Sequence, residues 1–89
     1  MIDKEVLIKN KLGLHARAAV KFVNLANRFS AHVKIIKDGA EIDGKSILGI
    51  LTLAATQGTR IRLKLSGRDD KEALKALETL INNRFDESE

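Results

Sequence analysis

Thr59-Arg60-Ile61-Arg62-Leu63-Lys64-Leu65-Ser66 alternates without a break: Ile61, Leu63 and Leu65 fall on one side, Arg60, Arg62 and Lys64 on the other. A period of two with one apolar and one charged side is the pattern of a strand with one face buried and one in water. Parallel sheets are covered on both faces. A strand of this kind therefore belongs to an antiparallel sheet with helices on one side only.

The flanking segments supply the rest of that architecture. Gly67 breaks the strand. Asp69-Asp70-Lys71-Glu72 has the spacing of a capping box, with Asp69 at the cap and Glu72 three residues on. Ala73, Leu74, Leu77, Leu80 and Ile81 then make the stripe of a final helix. Upstream, Gln57-Gly58 closes a short helix from about Ile47 to Leu53, which Ser46 can cap. His32 to Lys37 alternates with Val33 and Ile35 inward, and Asp38-Gly39 turns it into a partner strand, Ala40 to Asp43, that Gly44 ends. Ala16 to Phe29 has helical spacing, with Ala19, Phe22, Val23, Ala26 and Phe29 on one stripe. Lys4 to Lys9 reads as the first strand, with Val6 and Ile8 on one face. The order is βαββαβα. The expected fold class is α+β, an open-faced sandwich of a four-stranded antiparallel sheet with three helices on one face.

The bulk numbers narrow the function classes. Eighty-nine residues make one domain, 1–89, whose acidic stretch Asp86-Glu87-Ser88-Glu89 is expected to fray. There is no Cys, so neither a disulfide nor a thiolate site is available, which suits a reducing compartment. Met1 to Val6 lacks the basic and apolar regions of a signal peptide, and the longest largely apolar stretch, Ile47 to Ala55, is far short of the ~20 residues of a membrane span. The expectation is a cytoplasmic chain that does not insert into a membrane. Two distant histidines, His15 and His32, offer no metal-ligand spacing, so no metal and no cofactor are expected. His32 reads as structural. The net charge of +4 points to an acidic or phosphorylated partner, or to nucleic acid. For nucleic acid, Arg60, Arg62, Lys64, Lys34 and Lys37 would supply phosphate contacts. Yet Phe22, Phe29 and Phe85 are the only aromatics and none falls on an expected strand, so the sheet has no stacking platform.

Lys11-Leu12-Gly13-Leu14-His15-Ala16-Arg17-Ala18 joins the first strand to the first helix and places His15 at or beside the N-cap. The first amides of a helix lack partners within it and carry partial positive charge. That field disfavours a charged ring, which leaves a lone pair for attack. A phosphoryl group on the ring would lie beside the amides of Ala16, Arg17 and Ala18. The Arg17 guanidinium can pair with two of its oxygens. A histidine near a helix start is also an ordinary polar loop residue, and spacing alone does not separate the two.

Asn10-Lys11-Leu12-Gly13-Leu14-His15-Ala16-Arg17-Ala18-Ala19 resembles the active-site signature of the HPr family of the sugar and nitrogen phosphotransferase systems. Lys45-Ser46-Ile47-Leu48-Gly49-Ile50 resembles the second signature of that family, and Ala54-Ala55-Thr56-Gln57-Gly58-Thr59 the segment that follows it. The resemblance spans nearly the whole chain. It implies a phosphoryl carrier rather than an enzyme: His15 accepts phosphate at Nδ1 from phosphorylated enzyme I, Arg17 assists, and an enzyme IIA histidine receives it. It implies phosphorylation of Ser46 by a regulatory kinase/phosphorylase. It also implies a docking patch of Ala16, Val20, Ile47, Leu48 and Leu51, rimmed by Arg17, Lys21 and Lys45, on a monomer. Ala18 departs from the Pro usual in the family after the arginine, and thereby keeps one more N–H donor. The second signature resembles sugar-type carriers with serine control. Asn82-Asn83-Arg84-Phe85-Asp86-Glu87 resembles nitrogen-type ones, which leaves a regulatory adaptor of that branch as an alternative.

Overall fold

The computed structural model describes residues 1–87. Its elements run β1 (Ile2–Leu7), α1 (Ala16–Ala26), β2 (His32–Lys37), β3 (Ala40–Asp43), α2 (Ile47–Leu53), β4 (Arg60–Ser66) and α3 (Asp70–Asn82), followed by a 3-10 turn, Arg84–Asp86. The four strands form one sheet of order β1-β4-β2-β3, antiparallel throughout. The fold is the expected βαββαβα open-faced sandwich.

The alternation in β4 decides the faces. Leu65 pairs with Val33 and Leu63 with Ile35 across the β2 interface, while Ile61 pairs with Val6 and Leu65 with Ile2 on the β1 side. Ile61, Leu63, Leu65, Val33 and Ile35 are buried with Phe22 of α1, Ile50 of α2, and Leu77 and Ile81 of α3 in one core. On the other face Arg60 pairs with Glu5 at 3.3 Å and Arg62 with Asp3 at 2.7 Å. At the Asp38-Gly39 turn both residues have positive φ, 50° and 83°, which the hairpin geometry requires.

Four local expectations are corrected. β1 lies two residues earlier than its apolar pattern suggests, because pairing with β4 sets its length. Ile8 is already outside the strand, its N–H bonded to Thr59 O at 2.9 Å. α1 stops at Ala26 rather than Phe29. Arg28 N–H bonds Leu25 O and Phe29 N–H bonds Ala26 O, so the backbone tightens into three-residue turns. Asp69 is not a capping-box residue, since its side chain makes no bond to the start of α3. Its carboxylate instead accepts from Ser30 N at 2.9 Å and Ala31 N at 2.9 Å, closing the gap between α1 and β2. The Ser30 amide above all holds this carboxyl below its ordinary range, opposed by desolvation and helped by Ala31. Finally, the expected tail is placed against the domain as far as Glu87. Phe85 is fully buried and anchors the turn in the core, and Glu87 packs against the loop before α1. The remainder of the expected tail, 88–89, lies outside the described residues.

The loop that carries His15 is fixed by a close approach. Gly13 has φ +67°, and a Cβ there would stand 2.3 Å from Ala55 O. Leu14 N–H bonds that same carbonyl at 2.9 Å. The Gly13→Ala variant should lose more than about 1 kcal/mol of stability, because both the backbone angle and the space exclude a methyl group. Denaturant unfolding of the two proteins measures this.

Candidate functional site

The site is built where β1 hands the chain to α1. Asn10 is fully buried, and its Nδ2 donates to Gly13 O at 2.7 Å, drawing residues 10–13 into a tight loop. Leu14 follows into the core, and the chain enters α1 with His15 as N-cap, extended at φ −78° and ψ 179°. A histidine can hold that place because its ring nitrogen does what a serine or aspartate oxygen does elsewhere: Nδ1 accepts from Arg17 N–H at 3.3 Å. Ala19 N–H is taken up by His15 O at 2.9 Å. The amides of Ala16, Arg17 and Ala18 precede it and belong to the open first turn.

The opposite edge of the ring meets the segment beyond α3. His15 Nε2 contacts Glu87 Oε2. The other oxygen of that carboxylate accepts from Asn10 Nδ2 at 2.9 Å. Asn10 Oδ1 makes no hydrogen bond among the described residues, so Asn10 is held through Nδ2 alone. The His15 side chain keeps a quarter of its surface exposed (25%), enough for a partner to reach it. Since Nδ1 accepts a hydrogen bond, it carries the lone pair, and Nε2 carries the proton that faces the carboxylate. Desolvation pushes the Glu87 carboxyl up. The hydrogen bonds from Asn10 and His15, with the charge of Lys21, outweigh it and hold the carboxyl below its ordinary value of 4.5.

The other expected site residues separate into groups. Ala16 and Arg17 are exposed beside His15, whereas Ala18 is completely buried, so two of the three expected amide-bearing residues open to solvent. Ser46 caps α2, its Oγ accepting from Gly49 N–H at 3.0 Å. Ile50 and Leu53 point α2 into the core, while Ile47, Leu48 and Leu51 stay exposed, Leu48 most of all at 76%. Val20 on α1 is exposed as well, as is Leu12 in the preceding loop. Helices α1 and α2 pack against each other, so these apolar groups lie on adjacent elements. The expected basic rim is partly redirected. Lys21 Nζ donates to Phe85 O at 2.6 Å and Lys45 Nζ to Phe29 O at 2.8 Å, which ties both ammonium groups to backbone carbonyls. Among the described residues no three His, Asp or Glu side chains are grouped to hold a metal.

Asn10, Phe85 and Glu87 were not legible as site residues. The available signal was Phe85 itself, a large apolar residue in an otherwise polar run, which marks a segment returning to the core.

A family model described as the PTS HPr component phosphorylation site matches residues 2–83. The chain belongs to this family. The phosphocarrier protein HPr of Pseudomonas aeruginosa is 51% identical over 86 residues, covering 96% of each chain. That of Cupriavidus necator is 46% identical over 89 residues, the whole of both. A crystal structure of HPr from Thermoanaerobacter tengcongensis superposes with a TM-score of 0.96 at 43% identity over the full length of both chains. Within the family frame, His15 is the side chain at the open end of α1.

The contact between Glu87 and the loop depends on an ionised carboxylate. A group held below its ordinary value stabilises the fold above that value and loses its contribution as pH falls through the folded-state one. Acidification below 4.5 should therefore release Asn10 Nδ2, seen as a shift of its side-chain amide resonances. Glu87→Gln should abolish that transition while leaving the separate acid transition of Ser30 and Ala31, which report Asp69.

Proposed function

We propose that this chain is a cytoplasmic phosphocarrier. His15 takes a phosphoryl group from phosphorylated enzyme I of a phosphotransferase system and passes it to a histidine of an enzyme IIA protein. The observation that carries this reading is the His15 ring at the open first turn of α1, partly exposed, with Nδ1 turned to the Arg17 amide. The family membership and the names of the relatives support it.

The chemistry follows from the placement. The Nδ1 lone pair forms a bond to phosphorus as the donor's P–N bond breaks, and that electron pair returns to the donor nitrogen. The proton on Nε2 stays. The Arg17 amide then has a phosphoryl oxygen where it had a ring nitrogen, and the exposed Arg17 guanidinium can pair with the others. Hydrogen bonds to a charged group are worth about 1.5–3 kcal/mol, enough to hold the group and too little to trap it. Onward transfer is the same step in reverse, so an open site serves a carrier better than an enclosed one.

The exposed apolar residues of α1 and α2, Val20, Ile47, Leu48 and Leu51, with Ala16 beside His15, suit brief docking of both partners. One chain contributes every residue of the site, so a monomer suffices. Ser46 already serves as a helix cap, worth ~1 kcal/mol. A kinase/phosphorylase acting there would add roughly −1.5 to −2 charge near the docking face, which opposes an acidic partner. A nucleic-acid role is disfavoured by the sheet face, where Asp3 and Glu5 neutralise Arg62 and Arg60.

Incubation with enzyme I and phosphoenolpyruvate should give one acid-labile phosphoryl group, and His15→Ala should remove it. Arg17→Ala should slow transfer by about 10- to 100-fold, the equivalent of one lost charged hydrogen bond. Absence of acid-labile label on the unaltered chain would refute the reading. Ser46→Asp should slow phosphorylation of His15 with the thermal midpoint nearly unchanged; equal rates would remove the regulatory role.

A further inference from the structure

We propose that Glu87 is a positioning residue for His15: its carboxylate keeps the proton on Nε2 and thereby directs phosphoryl transfer to Nδ1. This inference rests on the phosphocarrier reading and adds to it the group that selects the reacting nitrogen.

Three observations converge. First, each carboxylate oxygen has its own partner, Oε2 on His15 Nε2 and Oε1 on Asn10 Nδ2 at 2.9 Å. Asn10 is itself clamped to Gly13, in the loop that delivers His15, so carboxylate and ring share one rigid support. Second, the pair is largely withdrawn from water, with the Glu87 side chain 16% and the His15 side chain 25% exposed. An ordinary surface ion pair is more exposed and weakly held. Third, the backbone is bent unfavourably to bring Glu87 there. Arg84, Phe85 and Asp86 all have positive φ, 56°, 55° and 62°, and none is glycine. L-residues avoid that region, and a run of three persists only where the surroundings enforce it. Here they do. Phe85 is fully buried, Lys21 Nζ clamps its carbonyl at 2.6 Å, and Glu87 N–H closes on Arg84 O at 3.0 Å.

An imidazole attacks through whichever nitrogen lacks the proton, and the hydrogen bond at one nitrogen decides the state of the other. With Glu87 accepting from Nε2–H, only Nδ1 has a lone pair, on the side of the Arg17 amide. Once phosphorus is bound there, the ring carries positive charge, and the carboxylate lies directly against its N–H. Without Glu87, Nε2 loses its partner and competes.

The test uses the full chain and phosphoramidate, a small donor that needs no partner protein. Its P–N bond breaks as the ring nitrogen bonds to phosphorus, and ammonia leaves after taking a proton from solvent. Wild type should give Nδ1-phosphohistidine alone by phosphorus NMR. Glu87→Ala should react at Nδ1 about 10- to 100-fold more slowly and yield a measurable share of Nε2-phosphohistidine. Glu87→Gln, which keeps shape but not charge, should fall between, and amide spectra establish that both variants are folded. A Glu87→Ala protein that reacts at Nδ1 alone and at the wild-type rate overturns the proposal. Failure of enzyme I to phosphorylate the wild type would instead refute the phosphocarrier reading, which the phosphoramidate products do not depend on.

Discussion

The imidazole of His15 has two nitrogens, and the fold gives each a different neighbour. Nδ1 faces the Arg17 amide in the open first turn of α1. Nε2 faces the carboxylate of Glu87, delivered from beyond α3. A helix start alone would supply donors for a phosphoryl group but would leave the ring free to rotate and to exchange its proton. A carboxylate alone would orient the ring with nothing to receive the product. In the proposed mechanism the two together leave one nitrogen reactive and provide for what is attached to it. Much of the local architecture serves this division. Gly13 brings the loop against Ala55, Asn10 clamps loop and carboxylate, and Lys21 and Phe85 hold the turn from which Glu87 projects.

The open-faced sheet contributes rigidity rather than chemistry. Its inner face is a continuous core with α1, α2 and α3, so the helix that displays His15 is anchored along its length through Ala19, Phe22, Val23 and Ala26. The outer face keeps its charges partly paired. Four of the exposed apolar residues, Val20, Ile47, Leu48 and Leu51, lie on α1 and α2, the helices beside the site. Lys21 and Lys45, which the family resemblance puts on the rim of this surface, donate to backbone carbonyls. Arg17, whose amide meets the ring, is exposed.

What the sequence made legible is what local rules govern. Alternation in residues 59–66 revealed the sheet and its open face, because period and burial are coupled in a strand. The caps of α1 and α2 could be read from His15 and Ser46, since each bonds an amide two or three residues away. Asp69 was misread for the converse reason: the Asp-Asp-Lys-Glu pattern is local, but its carboxylate bonds the backbone of Ser30 and Ala31, about forty residues earlier. Glu87 lies 72 residues from His15 and arrives through a left-handed turn of non-glycine residues. No propensity favours that turn. It exists because Phe85 must reach the core, and only the assembled fold says where the next two residues then point.

In the proposed mechanism the open turn of α1 receives the phosphoryl group. Amide proton–nitrogen spectra recorded before and after phosphorylation test it directly. The largest shifts should fall on the Ala16 and Arg17 amides, as Arg17 trades a ring nitrogen for a phosphoryl oxygen, with smaller changes at buried Ala18. Phosphorylation that leaves those two amides unmoved while another region shifts would contradict it.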